Sequence, residues 1–401
     1  MVQQKGSNSS GIRRFNERLI LSMLSKHGSL SKTEIAALTN LTKQAVMRIV
    51  NELSEQGLII LESKRVSGKG RPSEMYTLDP NGAFSIGVMV GRREIKIVLM
   101  DIAGHIISKM QESYNYPDPY QVIEIIVDNL PHLVSNLSEV KQDKIKGLGI
   151  AMPWFLGHWS DGQEMPNETA IVWESFDLQA ELNKRIDYEI QISNDCTSAA
   201  AAELLFGLGK SIQNYLYIYI DSFIGGGLVL KGNVEAGTHA NSAAIASYPV
   251  SHSKSPSLSK PNKPFEILLN RASLMSLVDY LRFKDYDIYN IVQLQQGINS
   301  QTFDMDEWIE DCSQALAELV VGANVVLDFD AVVIDMNLNG SLLDNIIERT
   351  RYYTSQFVER DIYTPNIYKG VLRKDAVMVG GAILPFYSNF IADKSVLFKP
   401  D

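Results

Sequence analysis

Leu30-Ser31-Lys32-Thr33-Glu34-Ile35-Ala36-Ala37-Leu38-Thr39-Asn40-Leu41-Thr42-Lys43-Gln44-Ala45-Val46-Met47-Arg48-Ile49-Val50-Asn51-Glu52-Leu53 contains two helix starts eleven residues apart. Ser31 and Glu34 form an S-x-x-E capping box, in which each residue's side chain satisfies a backbone N–H of the other. The box opens a short helix whose Ile35, Ala36 and Leu38 are expected to face inward. Thr39-Asn40-Leu41 is the turn. Thr42 is then an N-cap for a second helix with Ala45, Val46, Ile49, Val50 and Leu53 on its apolar face. Upstream, Leu19, Ile20, Met23 and Leu24 repeat at helical spacing over 15–26, and His27-Gly28-Ser29 ends that segment. Two short helices joined by a tight turn after a longer one make a helix-turn-helix.

In such a unit the second short helix enters the major groove with its N-terminal residues against base edges. The outward positions here are Lys43, Gln44, Met47, Arg48 and Asn51. Gln44 can pair with adenine, Arg48 with guanine or a phosphate, and Met47 can touch a thymine methyl. Leu58–Leu61 and Met75–Leu78 read as short strands around Glu62-Ser63-Lys64-Arg65-Val66-Ser67-Gly68-Lys69-Gly70-Arg71-Pro72, the wing of a winged helix. Its glycines permit close backbone approach, and Lys64, Arg65, Lys69 and Arg71 can neutralise phosphates or enter a narrow minor groove.

Charge follows the same division. Residues 1–78 carry twelve Lys and Arg against six Asp and Glu, a net +6, whereas the remaining residues are net −16 within a total of −10. A basic head on an acidic body brings only the head to a polyanion. The 401 residues exceed what one core usually organises, so we expect a DNA-binding domain over 1–78 and a larger domain over 79–401. Cys196 and Cys312 are the only cysteines, which excludes a disulfide framework and a Cys-rich zinc site. No apolar run approaches the roughly 20 residues that span a bilayer. The first residues are polar, without a signal-peptide core. The expected location is the cytoplasm.

From residue 84 the pattern becomes strand, turn, strand and helix. Phe84–Val90 and Ile95–Asp101 are apolar runs around Gly91-Arg92-Arg93-Glu94, with a third strand near Ile106-Ile107, a helix over 119–138, and a buried strand at Gly147–Pro153. Ile190–Ser193 leads into Asn194-Asp195 and a small-residue helix over 197–205. Tyr215–Ile220 then opens a second hairpin through Gly225-Gly226-Gly227 to Gly232. Alternating strands and helices indicate an α/β body, and two such starts indicate two lobes, the second over about 194–374.

These residues resemble the ROK family, which joins sugar-responsive bacterial repressors of the xylose and N-acetylglucosamine type to sugar kinases of the actin-like ATPase (ribonuclease H-like) fold. Phe15-Asn16-Glu17-Arg18, Leu30–Ala36 and Gly70-Arg71-Pro72 resemble the winged helix-turn-helix of its repressor branch. Gly147–Pro153, Asn194-Asp195 with Ala199-Ala200-Ala201 and Glu203, and Gly225-Gly226-Gly227 resemble its body. The departures lie in the kinase parts. The Asp-x-Gly-Gly-Thr-Lys phosphate turn of the family aligns with Met89-Val90-Gly91-Arg92-Arg93-Glu94, its second turn with Asp221-Ser222-Phe223-Ile224-Gly225-Gly226-Gly227, and a later Gly-Gly-Gly with Asp335-Met336-Asn337. The resemblance with these losses implies no ATP and no other cofactor.

Asp195 matches the kinase general base; without a phosphoryl donor it can still accept from a sugar hydroxyl, or it caps the following helix. Where the family has a sugar-binding Glu and a zinc-binding His, this chain has Asn241-Ser242-Ala243-Ala244-Ile245-Ala246-Ser247. The family's cysteine loop is replaced by Val250-Ser251-His252-Ser253-Lys254-Ser255-Pro256-Ser257-Leu258-Ser259, so no metal site is expected. Asn194, Asp195, His239 and Asn241 are the candidate effector contacts. Trp154, Trp159 and Trp173 are sugar-stacking or core residues.

The reading is a transcriptional regulator, a repressor of carbohydrate uptake or catabolism genes. It is not an enzyme. It binds double-stranded operator DNA as a homodimer or homotetramer and takes a carbohydrate effector. A sugar kinase with an added head, and a DNA-binding oligomer without a ligand, are the alternatives.

Overall fold

The capping box forms as the spacing requires: Ser31 Oγ accepts the Glu34 backbone N–H at 3.3 Å, and Glu34 Oε2 accepts that of Ser31 at 2.8 Å. The computed structural model in which this is seen describes residues 9–65, 72–154, 156–157, 165–256, 264–300, 303–338, 340–357 and 362–392. Its head begins with α1 (Ser9–His27) and β1 (Leu30–Ser31), followed by α2 (Lys32–Thr39) and α3 (Lys43–Glu55). Asn40 ends α2 in the left-handed region at φ 56°, and Thr42 caps α3 by accepting the Ala45 N–H at 3.2 Å. β2 (Ile59–Arg65) and β3 (Ser73–Leu78) complete an antiparallel sheet in the order β1-β3-β2. Ile20, Leu24, Ile35, Val46, Ile49, Val50 and Leu53 form the core of the head. Two expectations fail: α1 begins at Ser9, six residues before the segment read as helical, and Leu38 is 45% exposed. In the eight residues of α2 only Ile35 is fully buried, because a helix this short meets its neighbours along little more than one turn.

The chain divides into two compact units, residues 1–195 with 378–401, and residues 196–377. In the first, β4 (Phe84–Val90), β5 (Glu94–Asp101) and β6 (Ile106–Ser113) form an antiparallel meander. After α4 (Pro119–Val134) and α5 (Glu139–Gln142), β7 (Ile145–Met152) joins β4 in parallel. After α6 (Asn167–Ser175) and α7 (Leu178–Leu182), β8 (Ile190–Asn194) joins β7. The sheet order is β6-β5-β4-β7-β8. The helix expected over 119–138 ends four residues early, where Ser135 Oγ donates to the His132 carbonyl and the Leu137 N–H to that of Val134.

The second unit opens with α8 (Asp195–Phe206), whose residues from Cys196 belong to it, and repeats the topology. β9 (Tyr215–Ile220), β10 (Ile224–Leu230) and β11 (Asn233–Glu235) form the meander. The short pair β12 (Pro249–Val250) and β13 (Glu266–Ile267) comes next. α9 (Leu268–Ala272), α10 (Leu274–Phe283), α11 (Ile291–Ser300) and α12 (Asp306–Leu327) then lead to β14 (Ala331–Met336), α13 (Leu342–Phe357) and β15 (Asn366–Lys369). The sheet order is β11-β10-β9-β14-β15, with β14 parallel to β9 and β15 parallel to β14.

α14 (Ala376–Phe390) follows the second sheet but packs with the first unit. The contact is close: a Cβ on Gly149 would lie 2.1 Å from the Gly381 carbonyl oxygen, and one on Gly87 2.3 Å from the Ala382 nitrogen. Beyond its last turn the Ala392 N–H donates to Ser22 Oγ of α1 at 3.2 Å. At the other junction with the head, the Asp79 N–H donates to the Leu58 carbonyl at 2.9 Å, and Gly82 sits against Gly57. The head is therefore tied to the first sheet through two contacts distant in sequence. Among the described residues, no helix is long and apolar enough to cross a membrane.

Candidate nucleic-acid interface and the altered phosphate turns

The amphipathic pattern of α3 sends Val46, Ile49, Val50 and Leu53 into the core and leaves Lys43, Gln44, Met47, Arg48 and Asn51 exposed on one side. Met47 is 53% exposed. Asn51 Oδ1 accepts from Lys32 Nζ at 3.3 Å, and Arg48 lies 4.0 Å from Glu52 one turn away. Lys64 and Arg65 are exposed at the end of β2. Lys69 and Arg71 lie outside the described residues. The face thus offers amide, guanidinium and thioether groups at its N-terminal end, the mixture needed to read base edges.

Arg65 is engaged by Glu34, a contact that sequence reading missed. The Ser31 backbone N–H, the Arg65 guanidinium and the Ser31 hydroxyl together pull the Glu34 carboxyl down to about 2. Glu34 was legible as a capping residue; its second partner, 31 residues away, was not.

The two units treat their altered phosphate turns in the same manner, by consuming polar groups internally. In the first turn, the Gly91 N–H donates to the Glu94 carbonyl at 2.9 Å. Tyr114 Oη donates toward the Gly91 and Glu94 carbonyls at 2.7 and 3.0 Å. The Glu94 carboxylate takes Gln111 Nε2 at 2.6 Å and pairs with Lys96. In the second turn, the Asp221 N–H donates to the Phe223 carbonyl at 2.9 Å, and Asn337 Nδ2 lies 3.3 Å from both Asp221 carboxylate oxygens. Two residues of the altered turns therefore satisfy each other. The Leu274 and Met275 N–H groups donate to the Asp221 and Ser222 carbonyls, seating the start of α10 on the turn. A phosphate there would meet a carboxylate instead of open N–H donors.

Gly225-Gly226-Gly227 has a packing reason of its own. A Cβ on Gly225 would fall 2.4 Å from Cys196 Sγ, and one on Gly227 2.6 Å from the Ala200 Cβ. The triplet lets β10 approach α8, a need that persists whether or not a nucleotide binds.

Asp335, the third altered position, is completely buried. Tyr217 Oη donates to its Oδ2 at 3.0 Å, while among the described residues Oδ1 finds no hydrogen-bond partner. Gly370 makes the room, since a Cβ there would lie 2.2 Å from Oδ2. Burial, and then the nearby Glu203 carboxylate, push Asp335 up to about 7, against the opposing pull of the Tyr217 hydroxyl and Arg373. Glu203 accepts the N–H groups of Leu208, Val371 and Leu372, at 2.9, 3.1 and 3.3 Å, and so pins the segment after β15.

The described part of the stretch that stands in place of a cysteine loop is held by an ion pair through Ser251 and Ser253. Arg271 is 1% exposed and forks onto Asp311, Nε to Oδ2 at 3.0 Å and Nη2 to Oδ1 at 2.8 Å. Its Nη1 donates to the Ser251 carbonyl at 3.0 Å, and Ser253 Oγ donates to Asp311 Oδ1 at 2.8 Å. Neither partner stood out in the sequence, where they are 40 residues apart. Among the described residues no three His, Cys, Asp or Glu side chains converge as a metal site. Cys196 and Cys312 are both buried.

The candidate effector contacts divide between the units. Asn194 and Asp195 are half-buried where β8 ends and α8 begins, while His239 and Asn241 are exposed in the loop after β11. Of the tryptophans, Trp154 and Trp173 pack against the first core, and Trp173 Nε1 donates to the Pro117 carbonyl at 2.6 Å. Trp159 lies outside the described residues.

Comparison with known proteins bears on both parts. The head matches the MarR family over residues 14–70, and the body matches the ROK family over residues 85–386. The xylose repressor of Bacillus subtilis (strain 168) is 24% identical over 226 residues, which cover 56% of this chain and 58% of the repressor, so the chain spans a little over half the length of that relative. The structure is similar to a ROK family transcriptional regulator described as a homolog of the E. coli MLC protein, with TM-score 0.68 and 16% identity over 96% of this chain and 99% of that one. It is also similar to the ROK hexokinase of Thermus thermophilus, with TM-score 0.57 and 16% identity over 76% and 98%. That hexokinase covers about the share of the chain that follows the head, and at these identities both likenesses are of fold. Two sheets of one topology, a winged helix before them, and a family match across three quarters of the sequence agree: the chain belongs to the ROK family.

Proposed function

We propose that this protein is a DNA-binding transcriptional regulator, a repressor of carbohydrate uptake or catabolism genes, whose operator affinity responds to a sugar or sugar derivative. The observation that carries the reading is the outward face of α3, where Lys43, Gln44, Met47, Arg48 and Asn51 stand exposed on a capped helix of a winged-helix head. Similarity to the xylose repressor supports a carbohydrate effector. Asn194, Asp195, His239 and Asn241 are its proposed contacts, and the chain has no phosphoryl-transfer activity. Asp221 and Asn337 bonded to each other, and Asp335 buried at the third altered position, support a body that no longer handles ATP. α14, packed on the first sheet and followed by Ala392, which donates to Ser22 of α1, is a physical route from body to head. The regulator works in the cytoplasm as a homodimer or homotetramer, because one small head buries too little surface for high specificity. Lys64, Lys69 and Arg71 supply phosphate or minor-groove contacts.

Binding-site selection from a random duplex library tests the reading. Gln44→Ala or Arg48→Ala will cost roughly 1–3 kcal/mol and relax preference at particular base pairs. Lys64→Ala will weaken all sequences about equally. Identical specificity profiles for Gln44→Ala and Lys64→Ala would show that α3 does not read bases.

A further inference from the structure

The first turn of α2 holds two groups that face outward from the head. Lys32 reaches Asn51 of α3, and Glu34 reaches Arg65 at the base of the wing. The two carboxylate oxygens of Glu34 have separate tasks. Oε2 accepts the Ser31 N–H and the Ser31 hydroxyl, each at 2.8 Å, while Oε1 faces the Arg65 guanidinium. The capping box thus immobilises the carboxylate whether or not DNA is present, so this pair lacks the usual entropic handicap of a surface ion pair on one of its two sides.

Sequence-independent DNA affinity comes from cations that displace counterions from phosphates. A guanidinium already matched by a fixed carboxylate brings no net charge to that exchange. On the reading of the head as a DNA-binding module, we propose that Glu34 is a specificity-determining residue that withholds Arg65 from phosphate contact. Discrimination is the ratio of specific to non-specific affinity, so lowering the second raises it without any contact to a base. This alters the part that sequence alone gives Arg65, which there reads as one more phosphate ligand.

The test is a salt titration of the full chain on a fluorescent duplex of mixed sequence, comparing wild type, Glu34→Gln, Arg65→Ala and the double variant. Gln at position 34 keeps an oxygen for the Ser31 N–H, so the cap persists while the charge is lost; a melting curve checks this. Glu34→Gln will steepen the slope of log K against log salt by about 0.9, one further phosphate contact, and raise affinity at low salt by up to about five-fold. Arg65→Ala will keep the slope of wild type while binding somewhat more weakly at low salt, since it leaves the Glu34 carboxylate unmatched, and the double variant will return the slope to that of wild type. An unchanged slope in Glu34→Gln overturns the proposal. So does a slope about 0.9 shallower in Arg65→Ala, which reads out even if the other variant unfolds. A wild type that binds no duplex at any salt concentration would overturn the DNA-binding reading itself, and this inference with it.

Discussion

Arg271→Ala will destabilise the second unit by about 3–5 kcal/mol, the usual penalty for removing one partner of a buried ion pair. The fork on Asp311 is buried on both sides, with Arg271 1% and Asp311 6% exposed. Taking away the guanidinium leaves the buried Asp311 carboxylate without its cation, with Ser253 Oγ its remaining side-chain partner among the described residues. It also strips a donor from the Ser251 carbonyl, just after β12. Arg271→Lys will recover only part of the loss, since an ammonium cannot fork onto two oxygens. The pair Arg271→Met with Asp311→Leu will recover part of the loss, because an apolar replacement of both charges avoids the desolvation penalty, while the Ser251 carbonyl and Glu318 still lose their partner. Urea denaturation followed by circular dichroism measures all three. Chelating agents are expected to leave the melting temperature unchanged. If Arg271→Ala costs less than about 1 kcal/mol, the fork does not hold the loop.

Asp335→Asn will abolish a pH dependence of stability that the wild type shows between about 4 and 7. In the unfolded chain this carboxyl ionises near its ordinary 3.8, whereas in the fold burial and Glu203 push it up to about 7. Between those values the folded chain holds a proton that the unfolded chain has released. Raising the pH therefore favours unfolding, and the loss is complete above 7. A displacement of this size corresponds to roughly 4 kcal/mol. Below pH 4 both states are protonated and the variant will match wild type. At pH 8 it will be the more stable protein, because an amide of the same shape still accepts from Tyr217 and carries no charge beside Glu203. Melting temperatures of both proteins from pH 4 to 8 are the measurement. Parallel curves would mean that Asp335 stays ionised in the fold.

Much of the head was legible because its determinants are local. A capping box joins residues three apart, so covalent connectivity alone brings Ser31 to Glu34 and Thr42 to Ala45. The exposed face of α3 follows from helical periodicity, which places Lys43, Gln44 and Met47 opposite Val46 and Ile49. Two strand–turn–strand starts separated by helices likewise announced two lobes, since alternation and turn residues are written along the chain.

What the sequence determined by itself, then, was the capped starts of α2 and α3 and the apolar side of the amphipathic helices; the missing phosphate-turn residues came from the family resemblance. Tertiary structure decided who meets whom. Glu34 and Arg65 are 31 residues apart, Arg271 and Asp311 40, Asp221 and Asn337 116. Each pair joins elements whose meeting depends on the complete topology, including a final helix, α14, that packs on the sheet it does not follow. Leu38 went wrong for the same reason: periodicity gives the apolar side of a helix, but only its neighbours determine how much of that side they cover. Local hydrogen bonds are fixed by spacing along the chain. Ion pairs and burial are fixed by distance in space, which no short window of sequence contains.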